Sequence, residues 1–362
     1  MQHFLGQDGF IWFIGVVEDR ADPQYMGRVR IRCLGIHTEN KEDLPTADLP
    51  WAMPLLPITS SGISGIGQTP TGLVEGSWVF GFFRDASYMQ EPIVVGSLPG
   101  RPSTAAADGG FNDPNKIFPR HIDEPDNNRL SVNLKDDDGN EINPHLALTL
   151  RRETRITGIA TADFDAALAA DNTSIASSTT DKWDQPAIAY AAQYPNNQVY
   201  ESETGHLLEF DDTLDAERIH LYHKTGSSIE YNPNGDRVQI VKGDDYMLTS
   251  GAHKVDIQGQ SDITIGGRHK LYINKGGEIG NHYDIQVGAN ANVNIQVDDG
   301  SVNLITKQGS INVNAGGDYN VKVGGKYTMT VAGNRTITTE GSTTDNTTGA
   351  VTHRGKTIDL NP

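Results

Sequence analysis

The residues of this sequence best suited to chemistry are an acidic run near the middle of the chain. Asp136-Asp137-Asp138-Gly139-Asn140-Glu141 offers the carboxylate oxygens that Ca²⁺ prefers. Alignment with an EF-hand loop, however, places Leu134 at the first ligand position and His145 at the twelfth, and neither fits. An Asp-Gly turn between short strands is therefore the better interpretation of this run.

Two histidines and a glycine-rich run are the next candidates for chemistry. His220 and His223 have opposite parity on a strand, so a single chain cannot direct both side chains at one metal ion. Packing at the surface or at an interface is the favoured interpretation. The run Gly62–Gly67 matches neither a dinucleotide-binding fingerprint nor a P-loop in spacing, and it is predicted to be a loop.

Composition restricts the class of protein. The 362 residues suffice for two or three domains, and 36% hydrophobic residues with 39 glycines fit short strands joined by many turns. The net charge of −18 disfavours nucleic acid as a partner. Cys33 is the only cysteine, so it can form no intrachain disulfide, and we expect it to be buried. The apolar run Phe10–Val17 is too short to span a membrane and predicts a buried strand.

In the last third of the chain, glycines recur every eight residues. Apolar and polar residues alternate between them, as in Tyr319–Gly325, and this alternation indicates β-strands. A glycine closing each octad predicts a corner where positive φ or close backbone approach excludes a Cβ. A slip of register is predicted near Lys275–Gly280, because the two glycine series are out of phase. The octad glycines are Gly235, Gly243, Gly251, Gly259, Gly267, Gly309, Gly317, Gly325, Gly333 and Gly341.

One octad cannot fold alone, because its few inward apolar side chains do not offset the entropy of ordering it. The repeat must therefore stack, either as a single-chain solenoid or as three chains wound into a triangular prism. Both arrangements give a stiff rod with few lateral strand edges. The residues predicted to face the axis are Val255, Ile257, Ile263, Ile265, Ile311, Val313, Val321, Val323, Met329 and Val331.

The N-terminal part of the chain is predicted to form a small barrel of short strands separated by turn clusters. In the second strand, Arg28, Arg30 and Arg32 fall on one face and apolar residues on the other. This arginine face is either a solvated outer face or a docking face for an acidic partner. The predicted strands are Phe10–Glu18, Gly27–Leu34, Trp51–Leu56, Ser77–Arg84 and Pro92–Ser97.

A series of short motifs runs in order through this barrel segment, namely Trp12–Arg20, Gly27–Arg32, Leu49–Trp51, Pro57–Gly67, Val74–Gly76 and Ile93–Gly96. Together they resemble the OB-fold domain of the contractile-tail central spike family. That family includes the baseplate spikes of tailed phages and the valine-glycine repeat proteins of type VI secretion. Further along, Tyr200–Asp236 is similar to the segment with which such spikes start a triple-stranded β-helix. The resemblance therefore implies three intertwined chains rather than a solenoid.

The implied organisation is all-β with four parts. Residues 1–100 form an OB-fold barrel, 101–200 an irregular linker and collar, 201–341 the intertwined triple-stranded β-helix, and 342–362 a tip segment. In the linker we expect a short helix near Asp163–Ala170 and packing by the aromatic residues Trp183, Tyr190, Tyr194 and Tyr200.

A phage member of the family carries a muramidase domain between barrel and rod, and such a domain needs two carboxyl groups in a cleft. Glu153 and Asp163 are the nearest approximation here, but the family's Thr-Ile-Gly-Ile-Gly-His strand is absent and the segment is short. Some spikes hold a metal at the tip through His-x-His. Three copies of His353 would converge on a threefold axis, but the chain has no His-x-His. No catalytic site, metal or cofactor is predicted.

The resemblance implies a structural protein, the trimeric central spike of a phage contractile-tail baseplate. It would be a virion component that docks to a hub ring and punctures the host envelope when the sheath contracts. Arg28, Arg30 and Arg32 are the predicted hub-docking residues. The start of the barrel near Phe10 implies a separate hub protein, and the ending at Pro362 a separate tip protein. A type VI secretion spike and a polysaccharide-degrading β-helical tail enzyme remain the alternatives.

Overall fold

The computed structural model is nearly all β. Its described residues fall into two units, Met1–Lys270 and Leu271–Pro362, which are considered separately. The residues that the structure describes are 9–104, 109–111, 113–115, 117–118, 120, 122, 125–132, 174–176, 182–184, 186, 189–274, 280 and 282–359.

The first unit begins with a closed five-stranded barrel in the order β1-β2-β3-β5-β4. All five strands predicted from the sequence are confirmed, each to within two residues of its predicted ends, and the closed barrel confirms the N-terminal fold class. The strands are β1 Ile11–Asp19, β2 Val29–Cys33, β3 Trp51–Pro54, β4 Trp78–Phe83 and β5 Pro92–Ser97. Short 3₁₀ turns at Thr46–Asp48 and Ala86–Tyr88 precede β3 and β5.

The barrel closes around a continuous apolar core. Cys33 belongs to it with 1% of its surface exposed, as predicted, and burial raises the pKa of its thiol to about 12. Gly81 has to be glycine, because a Cβ there would lie 2.2 Å from the carbonyl oxygen of Ile93 and 2.5 Å from the ring of Phe13. The core residues are Phe13, Val17, Val29, Ile31, Cys33, Ala52, Val79, Phe83 and Val94.

Between barrel and C-terminal sheet, the described residues include helix α1, Arg129–Val132, and the two-stranded pair β6 Ser174–Ala176 and β7 Lys182–Asp184. Tyr190 packs beside a small core formed by Leu130, Leu207 and Tyr222, and the collar stays a prediction. Trp183, Tyr194 and Tyr200 are instead 40–65% exposed in this chain. The expected helix near Asp163–Ala170 lies outside the described residues.

A second sheet follows, an antiparallel meander in which each strand pairs with the next in sequence. It occupies the first part of the segment 201–341 that was predicted to be intertwined, and its strands pair within the chain. The boundary predicted at residue 201 stays a prediction. The five strands are β8 Asn197–Glu201, β9 Leu207–Asp211, β10 Arg218–Tyr222, β11 Ser228–Tyr231 and β12 Arg237–Ile240.

Beyond Ile240 no strand forms among the described residues. The chain runs through bends that recur at the octad glycines, for example at Gly251 and Gly259 in the first unit and at Gly325 and Gly333 in the second. The spacing of corners predicted from the sequence is therefore visible in the backbone, without strand pairing inside one chain.

None of the helices in the described part of the chain is both long enough and apolar enough to cross a membrane.

Candidate functional site

Arg30 and Arg32 of β2, and Arg28 just before it, each have a partner inside the protein. Arg28 donates to the Asp22 carboxylate at 2.6 Å, and this ion pair holds the pKa of Asp22 well below its usual range. Arg30 stacks on Trp51 with its guanidinium carbon 4.4 Å from the ring centroid. Both groups therefore stabilise the barrel surface, and hub docking by this face stays a prediction.

Arg32 differs from the other two because it is buried, with 1% of its side chain exposed. It donates to Glu18 at 2.6 Å and to the carbonyl oxygens of Thr38 and Leu44. Burial alone would raise the pKa of Glu18, but the hydrogen bonds from Arg32 and Thr46 outweigh it and lower that pKa. Arg32 therefore ties the β2–β3 loop to β1 and does not present its guanidinium to solvent, which differs from the solvated face expected from the sequence.

The meander β8–β12 buries its polar face. Arg218 bridges two carboxylates, donating to Glu209 and, at 3.0 Å, to Glu230. Asn197 donates to Glu209 at 2.7 Å, and His220 lies 3.3 Å from the other oxygen of Glu209. All five of these residues are buried, with at most 5% of their surface exposed. Backbone segments at Leu130 and at 189–193 cover this face, so water does not reach the network.

Electrostatics inside this network favour the ionised form of Glu209. Burial by itself would raise the pKa of Glu209. The hydrogen bond from His220, the charge of Arg218 and the hydrogen bond from Asn197 act in the opposite direction and lower the pKa overall. A buried carboxylate is thus held as an anion by three partners on the two neighbouring strands, β8 and β10.

The opposite face of the same sheet is apolar and uncovered in one chain. Its residues sit on adjacent strands in register, since Ile219 pairs with Phe210 and with Tyr231, and Leu221 pairs with Leu208. An apolar patch of this kind marks an interaction surface. The sheet-face residues and their exposures are Tyr200 65%, Leu208 38%, Phe210 38%, Ile219 47%, Leu221 54% and Tyr231 45%.

The ten residues predicted to face the axis of the rod are likewise uncovered, with exposures between 46% for Val323 and 82% for Ile263. The geometry of a single chain does not require glycine at most of the octad positions. Only Gly235 and Gly309 among them have positive φ, and a Cβ at the other eight would meet nothing within 4 Å. Those eight glycines therefore do not have positive φ in one chain, and close backbone approach between copies at these corners stays a prediction.

The histidine candidates are separated by the fold. His220 is buried against Glu209, whereas His223 is exposed and its ring lies 4.4 Å from that of His206 between centroids. His353 is exposed in the last described segment. Within the described residues, no group of three or more His, Cys, Asp or Glu side chains is placed to hold a metal ion. Gly62–Gly67 is a loop, as predicted.

Several candidates lie wholly or mostly outside the described residues. These are the acidic run Asp136–Glu141, the carboxyl pair Glu153 and Asp163, and Lys275–Gly280, of which only Gly280 is described.

Two features of the site were not found from the sequence. The alternation in Leu207–Asp211 and Arg218–Tyr222 predicts strands, but it does not tell which face of the sheet is covered. The covering segments come from distant parts of the chain. Ile58, Ile63 and Ile66 are also exposed on the barrel, and the absence of charged residues from Leu49 to Val74 was the signal that could have pointed to them.

Comparison with known proteins agrees with these features. A family model described as Gp5 N-terminal OB domain matches residues 35–187. The chain is 38% identical over 292 residues to Protein Gp5 of Vibrio phage KVP40, which covers 74% of this chain and 66% of that protein. It is 42% identical over 120 residues to the pre-baseplate central spike protein Gp5 of Enterobacteria phage T4, which covers 31% of this chain and 20% of that protein.

The family match starts inside the barrel and runs past it, so the domain boundaries drawn from the sequence stay predictions. The chain spans just under two thirds of the length of the first relative and one fifth of the second. The order of the strands, the closed barrel and the two phage relatives lead to one family. The family model and both relatives support membership of the contractile-tail central spike family.

Proposed function

We propose that the protein is the homotrimeric central spike of a phage baseplate, and that it acts mechanically. The observation that carries this proposal is the uncovered apolar surface of the octads, where every predicted axial residue is about half exposed or more. Extended chain with exposed valines and isoleucines and without strand partners is not stable in water. Three chains wound together would cover these side chains and satisfy the backbone groups.

The sheet β8–β12, whose covered face is polar and whose uncovered face is apolar, supports the same assembly. Its charged face is already covered within the chain, so its apolar face, which includes Phe210 and Ile219, is the one left for other copies. The last strand of the sheet, β12, lies between the octad glycines Gly235 and Gly243, and the remaining octads follow it directly. Apolar contact could then continue from the sheet into the octads along one axis.

The proposed mechanism is the transmission of axial force. A rod whose strands pair between chains cannot unfold locally without separating interlocked chains, so its resistance is kinetic. The barrel would dock to a hub ring and the octads would pierce the host envelope when the sheath contracts. The face that carries Arg28 and Arg30 is the docking candidate on the barrel, and a separate tip protein stays a prediction.

Two other functions can be weighed against the spike. Both relatives are phage proteins, which favours a phage baseplate over a type VI secretion machine. A polysaccharide-degrading tail enzyme would need a groove with aromatic platforms and clustered carboxylates. Turnover of peptidoglycan or capsular polysaccharide by the purified protein would contradict a purely structural role.

Resistance to detergent tests the proposed assembly. Because the chains would be interlocked, the unheated full chain should migrate in SDS as one species well above 39.3 kDa and collapse to the single-chain band only on boiling. Migration at the single-chain position without heating would contradict an interlocked trimer.

A further inference from the structure

Strand β3 and most of the loop that follows it form the longest stretch of the chain without charge. From Leu49 to Val74 there is no Asp, Glu, Lys, Arg or His, although 21% of all residues are Asp, Glu, Lys or Arg. The loop nevertheless exposes large aliphatic side chains. Ile58 is fully exposed, and Ile63 and Ile66 are 67% and 68% exposed. This combination of exposed isoleucines and missing charge is what a buried contact requires.

The loop is built to present these side chains in a fixed arrangement. The amide of Ile66 donates to the carbonyl oxygen of Ile63 at 2.9 Å, which closes a tight turn. Below the turn, the hydroxyl of Ser60 accepts from the amide of Gln68 at 2.8 Å, and the hydroxyl of Ser61 donates to the carbonyl oxygen of Ile66. The isoleucines are therefore preorganised, which lowers the entropy lost when they are covered.

Gly67 makes this arrangement possible. Its φ is +115°, and a Cβ there would lie 2.3 Å from the hydroxyl oxygen of Ser60. The glycine lets the two arms of the loop approach each other closely.

The absence of charge indicates which kind of partner covers this loop. A different protein can neutralise a charge with an opposite one, so a contact with such a partner does not need an uncharged surface. A contact between identical copies around an axis brings each charge next to the same charge, which is unfavourable. In a chain of net charge −18, a long uncharged and apolar loop is therefore the surface expected where copies of the same chain meet.

We propose that the Ile58–Ile66 loop packs against the same loop of the two other copies at the threefold axis, and so joins the barrels to one another. This inference rests on the proposed homotrimer and adds a contact in the barrel that is independent of the octads and of the apolar face of β8–β12. The loop closes the axis at the barrel with uncharged side chains only.

Cross-linking of the full chain tests this contact. In Ile63→Cys, a short bis-maleimide or mild oxidation should join two copies of each trimer and give a covalent dimer in boiled SDS samples. Each chain then offers one reactive thiol, because Cys33 is 1% exposed and its thiol pKa is raised to about 12. The matched control is Glu39→Cys, an exposed position on the β2–β3 loop, which should give no dimer.

The outcomes separate this inference from the proposed function. A sedimenting trimer in which Ile63→Cys gives no dimer, or in which Glu39→Cys gives as much, overturns the loop contact and leaves the homotrimer intact. If the loop becomes protected only after a hub protein is added, the loop contacts the hub and not other copies, which also overturns the loop contact and leaves the homotrimer intact. A sedimenting monomer overturns both.

A second pair of variants tests the charge argument itself. Ile63→Glu places three carboxylates at the axis, whereas Ile63→Gln places three neutral groups of the same size there. Hydrogen exchange of the loop amides should be several-fold faster in Ile63→Glu than in Ile63→Gln at pH 7, and the ratio should approach one below the ordinary pKa of glutamate. Equal exchange at both pH values would show that like charges do not meet at this loop.

Discussion

At the scale of single residues, the arginines of this protein act mainly inside it. Arg32 and Arg218 are both buried; Arg32 is held by one carboxylate and two backbone carbonyl oxygens, and Arg218 by two carboxylates. A buried ion pair adds little to stability compared with apolar packing, but removing one partner leaves an unpaired charge. The two arginines therefore fix local arrangements that the apolar core alone does not specify.

Replacing Arg32 tests this role. Arg32→Met should lower the free energy of unfolding by about 3–5 kcal/mol, because Glu18 would keep a buried charge without its partner. The comparison is Arg84→Met, whose pair with Glu91 is more than half exposed and should matter by less than about 1 kcal/mol. Urea unfolding followed by tryptophan fluorescence measures both variants, and equal losses would contradict the distinction.

The sequence predicts some of these residues and not others, for physical reasons. Cys33 was expected to be buried because it alternates with arginines on a strand, and this was confirmed. The same alternation placed Arg32 on the outer face of β2. It could not show that the β2–β3 loop covers that side chain with the carbonyl oxygens of Thr38 and Leu44. Burial by a loop depends on tertiary packing, which a local pattern does not contain.

At the scale of elements, local patterns predicted strands well. Alternation within β4 was sufficient because that strand has one covered and one outer face, whereas β1 was recognised as an apolar run, and its residues Gly15–Glu18 are all buried. In β9 and β10 the same kind of alternation was visible, but the covered face turned out to carry Glu209, Arg218 and His220. Segments near Leu130 and Tyr190, distant in sequence, decide which face is buried. The orientation of this sheet could therefore not be predicted from its own residues.

Acid should weaken this sheet. Glu209 has a folded-state pKa below its ordinary value of 4.5, so its stabilising contribution is present above that value and is lost as pH falls through the folded-state pKa. Hydrogen-exchange protection factors in β9 and β10 should decline when the pH is lowered below about 4.5.

The control for the acid response is Glu209→Gln. This variant should show lower protection already at pH 7, because Arg218 loses one of its two carboxylate partners. Its further decline on acidification should be smaller than that of the unchanged protein. An identical decline in both proteins would assign the acid response to other carboxylates.

Two neighbouring positions in the octads test the predicted axial face. Val321→Asp should prevent an SDS-resistant assembly, because each unpartnered carboxylate buried at the axis costs more than about 2 kcal/mol. Asn320→Asp introduces the same side chain one residue earlier, on the predicted outer face, and should leave the assembly intact. If both variants behave alike in unheated SDS gels, Val321 does not face an axis.

At the scale of the whole molecule, one feature joins the octads, the sheet face and the barrel loop. Each exposes apolar side chains that one chain does not cover, namely Val255 and Ile263 in the octads, Phe210 and Ile219 in the sheet, and Ile63 in the loop. The barrel and the strand spacing could be predicted because they are local. The pairing between octads could not be read from one chain, because the partners of those strands would belong to other copies.

The central claim is that three copies of the chain form one molecule, and its most direct test is the native mass. Sedimentation equilibrium of the full chain at neutral pH should give three times the chain mass of 39.3 kDa, with no dissociation on dilution. A mass of 39.3 kDa across the same concentrations would contradict the account.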